Sequence, residues 1–145
     1  MNVSSLSNFF GSLNIDYLRR DLFMVRFYPL KNLMRKQDLE MFDARLMKVD
    51  IMRNVGGDGG TLVMRFLEKE DFSVTRYFDE IVSNKTFSAK YTLFTSAGKP
   101  LRDITLEGCQ VKTLSTEGDA SEPGAAEIVV DIDFSKSENQ YYDIS

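Results

Sequence analysis

The chain has 145 residues, 43% of them apolar and 28% charged, enough to bury the core of one ordinary domain. A formal net charge of −4 argues against sequence-independent binding to duplex DNA, which needs a basic surface to displace counterions. There is no histidine, no tryptophan and a single cysteine, Cys109. That removes the commonest general base, the commonest metal ligand and any intramolecular disulfide framework, and it fits a reducing compartment.

Residues 1–17 read as a short helix or arm, with Leu6, Phe9, Phe10 and Leu13 at helical spacing. The opening MNVSSLSNFF lacks the basic start and long apolar run of a secretory signal, and Arg19-Arg20 leads into a β-like run rather than a signal-type segment. No apolar run is long enough to span a bilayer, so no membrane role is expected. Residues 21–28 alternate as a strand, stopped by Pro29. Residues 30–38 are basic and loop-like, with Lys31, Arg35 and Lys36; docking on an acidic partner and a solvated loop both fit them.

Residues 41–53 and 61–67 are expected to form a long β-hairpin whose tip is Gly56-Gly57-Asp58-Gly59-Gly60. Both faces of its first strand, Phe42/Ala44/Leu46 and Met47/Val49/Ile51, carry apolar side chains. A strand apolar on both faces calls for a neighbour. One helix follows, with Asp71 as N-cap and Val74, Tyr77, Phe78 and Ile81 on one face. Residues 88–95 form a strand, 97–100 a turn, and Ile104, Leu106 and Val111 a strand region. In the last strand Ile128, Val130, Ile132 and Phe134 share one face while Glu127, Val129, Asp131 and Asp133 share the other. That pattern belongs to a sheet with one wet face. Tyr141 and Tyr142 fall in a short tail. The fold expected is mainly β: an antiparallel sandwich or small barrel with one packed helix and a long hairpin.

Little here supports chemistry. The glycine-rich tip lacks the Gly-Lys-Ser/Thr ending of a phosphate loop and precedes a strand, and Asp58 has no carboxylates at alternate positions for calcium. Cys109 has no histidine to activate it and reads as a half-buried strand residue. Asp131 and Asp133 find no partner carboxylate motif and read as a solvated acidic face. Phe72, Tyr77 and Phe78 read as core rather than a base-stacking platform, because Asp79 and Glu80 interrupt the basic pattern such a platform needs. No catalytic residue, metal site or cofactor is expected.

Four segments in order carry a family likeness: Leu18-Arg19-Arg20-Asp21-Leu22-Phe23-Met24-Val25; Gly60-Thr61-Leu62-Val63-Met64-Arg65-Phe66 running into the helix 72–83; Arg102-Asp103-Ile104-Thr105-Leu106-Glu107-Gly108-Cys109; and Glu127 to Phe134. With them the chain resembles the tail tube proteins of contractile-tailed bacteriophages, and more loosely the tube proteins of contractile injection and type VI secretion systems. Cys109-Gln110 stands where many relatives have an aromatic–proline pair. The stretch between the first strand and the hairpin is short, so a tube subunit and a baseplate tube initiator both stay open.

The resemblance implies an arm, 1–17, and a tube-like β domain, 18–145. It implies a non-enzymatic virion protein whose hexameric rings join their sheets into one barrel and stack into a tube. The implied partners are further copies of the chain, a sheath protein, baseplate and terminator proteins, and phage DNA that slides through without specific binding. The implied place is the virion tail, assembled in the host cytoplasm. Candidate channel-facing acids are Asp43, Asp50, Glu68, Asp131 and Asp133. Candidate contacts between copies are Phe9, Phe10, Met47, Val49, Ile51, Gly57, Asp58 and Gly59.

Overall fold

The computed structural model describes residues 22–28, 34–118 and 124–143. The arm, with Phe9 and Phe10, and Lys31 lie outside these residues. In chain order the elements are β1 (Phe23–Tyr28), α1 (Lys36–Arg45), β2 (Leu46–Arg53), β3 (Gly60–Leu67), α2 (Ser73–Arg76, widening into a π-type turn over Tyr77–Val82), β4 (Phe87–Phe94), β5 (Pro100–Glu117), β6 (Glu127–Phe134) and β7 (Lys136–Tyr141).

The 18-residue β5 organises the molecule. A strand of that length outruns a single small sheet, so its two halves serve two sheets. The first half pairs with β4 on one edge and β7 on the other. The second half, from Gln110 to Glu117, pairs with β6. The two four-stranded layers are β1-β4-β5-β7 and β2-β3-β6-β5, and every pairing is antiparallel. They lean together as a sandwich that is not closed into a barrel.

The bend in β5 has a stereochemical cause. Gly108 sits at φ +65°, and a Cβ there would lie 2.2 Å from Ser135 Oγ. Only glycine meets both demands cheaply. Opposite it, Ser135 breaks the strand into β6 and β7, and its N–H and hydroxyl both donate to the Glu107 carbonyl, at 2.9 and 3.2 Å.

Between the layers lies an aromatic core. Phe27, Phe42, Phe66, Phe78 and Phe87 are all buried. Their rings meet edge-on or tilted at centroid distances of 4.8 to 5.5 Å along the chain Phe87–Phe27–Phe42–Phe66–Phe78, the geometry that suits the ring quadrupole. Cys109 is buried here too; burial pushes its thiol up to about 12, so it stays protonated.

Several expectations need correction. The strand drawn from residue 41 begins at Leu46, because residues 36–45 form α1. Phe42 is the buried anchor of that helix and Ala44 lies exposed on it, so they are not one face of a strand. Lys36 is helical, and Arg35 precedes the helix with its backbone N–H donating to the buried Asp38 at 3.0 Å. The second helix has Phe72 rather than Asp71 at its N-cap, and its π-type turn moves the last buried position from Ile81 to Val82. Phe72 is 60% exposed and left-handed (φ 55°), not core. The residues before Tyr142 are strand β7, not a tail. Tyr142 itself folds back: its N–H donates to Leu101 O at 2.9 Å and its hydroxyl to Asp103, which also accepts from Thr92 at 2.6 Å.

Candidate assembly edges and channel face

The β2-β3-β6-β5 sheet has one dry and one hydrated face. Leu62, Met64, Phe66, Ile128, Val130, Ile132 and Phe134 point into the core. The register places the remaining side chains in cross-strand rows on the outer face. Met52, Thr61, Asp133 and Gln110 form one row; Asp50, Val63, Asp131 and Thr113 the next; then Lys48, Arg65, Val129 and Ser115. Leu67, Glu127 and Glu117 close the far end.

The face therefore carries two cations against five carboxylates, and the charges are not evenly spread. Arg65 bonds Glu127 at 2.7 Å and also Glu117. Those two hydrogen bonds raise its pKa further, and its charge cancels one of the two carboxylates at that end. Lys48 sits 3.6 Å from Asp50. Among the described residues Asp131 and Asp133 have no cation partner: they accept hydroxyls, from Thr113 at 2.8 Å and from Thr61 at 3.4 Å. Negative charge thus concentrates toward the hairpin end.

Of the five acids singled out in the sequence, Asp50, Asp131 and Asp133 share this face. Asp43 lies on α1, where both its oxygens bind Arg26, at 2.8 and 2.9 Å. Glu68 follows β3 directly and folds its side chain onto the start of α2. It accepts the N–H groups of Val74 (3.2 Å) and Thr75 (2.9 Å) and the Thr75 hydroxyl (2.7 Å). Partial burial works against its charge, but these bonds and one from the Lys69 N–H win and hold the carboxyl below its ordinary range. Glu68, not only Asp71, is the anion at the positive end of that helix. Asp71 accepts from the Ser73 N–H at 3.0 Å.

The sheet is also unfinished. Among the described residues, β2 pairs only with β3, and the second half of β5 pairs only with β6. Each free edge carries an irregularity, at Met47 in β2 and at Lys112 in β5. Bulges and charges are how open edges avoid indiscriminate pairing. A groove of about 820 Å³ runs along the β2 edge, lined by Phe23, Val25, Leu46, Val49, Tyr91 and others. Met47 is exposed there, and Val49 and Ile51 are half-buried against the core. A smaller hollow of about 200 Å³ beside the β5 edge is lined by Asp79, Asn84 and residues Val111 to Leu114. Gly57, Asp58 and Gly59 form the hairpin tip, held by an Asn54 N–H bond to Gly59 O at 2.8 Å. Beside them Val55 is fully exposed.

Among the described residues no cluster of three or more His, Cys, Asp and Glu side chains could hold a metal ion, and no helix is long and apolar enough to cross a membrane.

The fold has known counterparts. A chain of the anti-feeding prophage baseplate, solved with six-fold symmetrisation, superposes with a TM-score of 0.61 at 14% identity, covering 88% of this chain and 97% of that one. A chain of the sheath–tube complex of an extracellular contractile injection system, PVC, in its extended state gives 0.56 at 13% identity, over 91% and 97%. A chain of the sheath/tube terminator of the PVC system gives 0.57 at 13% identity, over 87% and 99%. No protein-family model matches the sequence, and no curated protein matches it. The chain thus has the fold found in the tube, baseplate and terminator assemblies of contractile injection systems, as the sequence likeness to contractile tail tubes implied.

Proposed function

We propose that this protein is a structural, non-catalytic subunit of a contractile tail or injection tube. Six copies close into a ring, rings stack head to tail, and the hydrated face of the β2-β3-β6-β5 sheet lines the bore. One observation carries this reading: a four-stranded, wholly antiparallel sheet left open on both margins among the described residues. Strand directions alternate across it, so β5 and β2 run opposite ways. Rotation about an axis near the strand direction preserves those directions. The β2 edge of one copy then meets the β5 edge of the next antiparallel, and the ladder continues unbroken. Closure removes every free edge of this sheet.

Six copies supply about 24 strands. At roughly 4.8 Å spacing and about 40° tilt, the backbone barrel is about 50 Å across, leaving a bore wider than a DNA duplex. Asp131 and Asp133, with no cation partner among the described residues, face that bore and repel a DNA polyanion along its whole length, so it slides without sticking. The hairpin tip with Val55 and the loop with Phe72 stand at opposite ends of β3, exposed at the two poles of the ring. Head-to-tail contact between such poles extends a filament. Sheath, baseplate and terminator proteins are the remaining partners, in a particle assembled in the host cytoplasm.

The fit to a baseplate chain favours one second reading, a tube initiator present as a single ring. Copy number per particle separates the two. Negative-stain microscopy of the full chain, alone and on a baseplate template, tests both: six-fold rings or hollow tubes are expected. A dispersed monomer in the presence of the template would overturn the proposal.

A further inference from the structure

We infer that the chain's own arm, residues 3–15, seats in the groove between β1 and β2 and completes the core that the two layers leave open there. This goes beyond the ring reading and does not depend on it.

The groove is where the sandwich is unfinished. The two layers share β5 and end, on the opposite side, at β1 and β2. Helix α1 plugs part of that side, with Phe42 fully buried between Phe27 and Phe66. Beside this plug, Phe23 and Tyr91 of one layer, stacked at 5.9 Å, and Leu46 and Val49 of the other line a groove of about 820 Å³. All four pack against the core yet are only half-buried. The charged side chains along the groove are already engaged: Asp43 binds Arg26, and Lys48 sits 3.6 Å from Asp50. Among the described residues β1 pairs only with β4, so backbone groups on its other edge need hydrogen bonds. Such a groove suits apolar side chains flanked by uncharged hydrogen-bonding ones.

The arm has that composition. Residues 1–15 contain no Asp, Glu, Lys or Arg. Leu6, Phe9, Phe10 and Leu13 recur at one-face spacing, with serines and asparagines between them. An uncharged segment enters without the cost of desolvating a charge. Its attachment point agrees. The Leu22 carbonyl accepts the Phe94 N–H at 3.0 Å, and Phe23, Met24 and Phe94 all line the groove, so the chain runs into β1 at the groove's rim. Residues 14–21 join Leu13 to Leu22 and reach at most about 28 Å, enough to double back over the groove. So short a tether sets an effective concentration of roughly millimolar order, which favours the chain's own arm over another copy's in dilute solution.

The test uses the full chain at a dilution where light scattering shows a monomer. In Val49→Cys, the rate of maleimide alkylation at position 49 reads how well the groove is covered. Cys109 is buried and stays protonated, so its reaction reports opening of the whole fold. Adding Phe9→Ser/Phe10→Ser should speed alkylation at position 49 by about tenfold or more, the scale of one or two unburied aromatic rings, while Cys109 stays unreactive. Phe9→Trp gives the chain its only tryptophan. Its emission should be blue-shifted and shielded from acrylamide in the monomer, and Val49→Asp should undo both. Equal alkylation rates with and without the two phenylalanines, or a Phe9→Trp emission like that of a free peptide, would overturn the inference. Protection at position 49 that arises only as copies assemble would overturn it too and assign the groove to a second copy. Should Cys109 react as well in the double serine variant, the Phe9→Trp result decides alone.

Discussion

The two halves of β5 belong to one strand yet live in different structures. From Arg102 to Glu107 it has a partner on both edges, and the layer around it is locked by the Asp103–Thr92–Tyr142 hydrogen bonds and the aromatic core. From Gln110 to Glu117 it has one partner and an open margin. The first half shows what this chain does when it finishes a sheet by itself; the second leaves a margin that the proposed ring would fill with another copy. Fold stability and assembly are therefore separable, and substitutions should sort by which half of the design they touch.

The largest effect on folding should come from the finished side. Phe42→Ala removes a fully buried ring that joins Phe27 to Phe66 and is expected to cost about 3–5 kcal/mol, read as a lowered urea midpoint. Next is Gly108→Val at the joint between the halves. It forces a β-branched residue into φ +65° and against Ser135, and about 1–3 kcal/mol should be lost in the same measurement. An unchanged midpoint would mean that the bend does not depend on this position.

Glu68→Gln is smaller, about 1 kcal/mol near neutral pH, the scale of one helix-end contact. Its sign with pH is defined. The folded-state pKa is depressed, so the carboxylate's contribution is full above the ordinary glutamate range and is lost as pH falls through the lowered value. The gap between wild type and variant should close on acidification; a gap that widens would contradict the assignment. Smallest for folding, within about 0.5 kcal/mol, are Val55→Asp and Phe72→Asp, both exposed. Here the readout is assembly: single rings should persist while stacked tubes disappear. Asp131→Asn/Asp133→Asn should spare both and slow only DNA passage.

Much of the open sheet could be read from the sequence. The alternation of Ile128 to Phe134 against Glu127 to Asp133 specified one wet and one dry face, and period-2 patterns survive whatever the topology. The helix α1 was hidden because Phe42, Ala44 and Leu46 also alternate as a strand does; only the run of good helix formers from Lys36 to Arg45 signals otherwise. Strand β7 was hidden because its sequence, KSENQY, is polar: an outer-edge strand with little to bury leaves no hydrophobic pattern. Of the candidate site, Asp50, Asp131 and Asp133 were legible by parity along their strands. Asp43 and Glu68 were not separable from them, because Arg26 and Thr75, which engage them, are distant in sequence or belong to a cap. The open margin along the second half of β5 gave no signal at all, because which edges stay unpaired is a property of the three-dimensional pairing alone.

The central claim is that β2 of one copy meets β5 of the next. A scan of cysteine pairs, one at Lys48, Asp50 or Met52 on β2 and one at Gln110, Thr113 or Ser115 on β5, tests it directly, since all six side chains lie on the hydrated face and the scan does not presuppose the register between copies. Within one chain the two positions of any pair are at least three strand spacings apart, about 14 Å, beyond disulfide reach. Mild oxidation of assembled protein, followed by a non-reducing gel, should give, for at least one pair, a ladder that ends at six linked chains. A band pattern that for every pair stops at the monomer in protein shown by light scattering to be assembled, or at a closed dimer, would contradict the account.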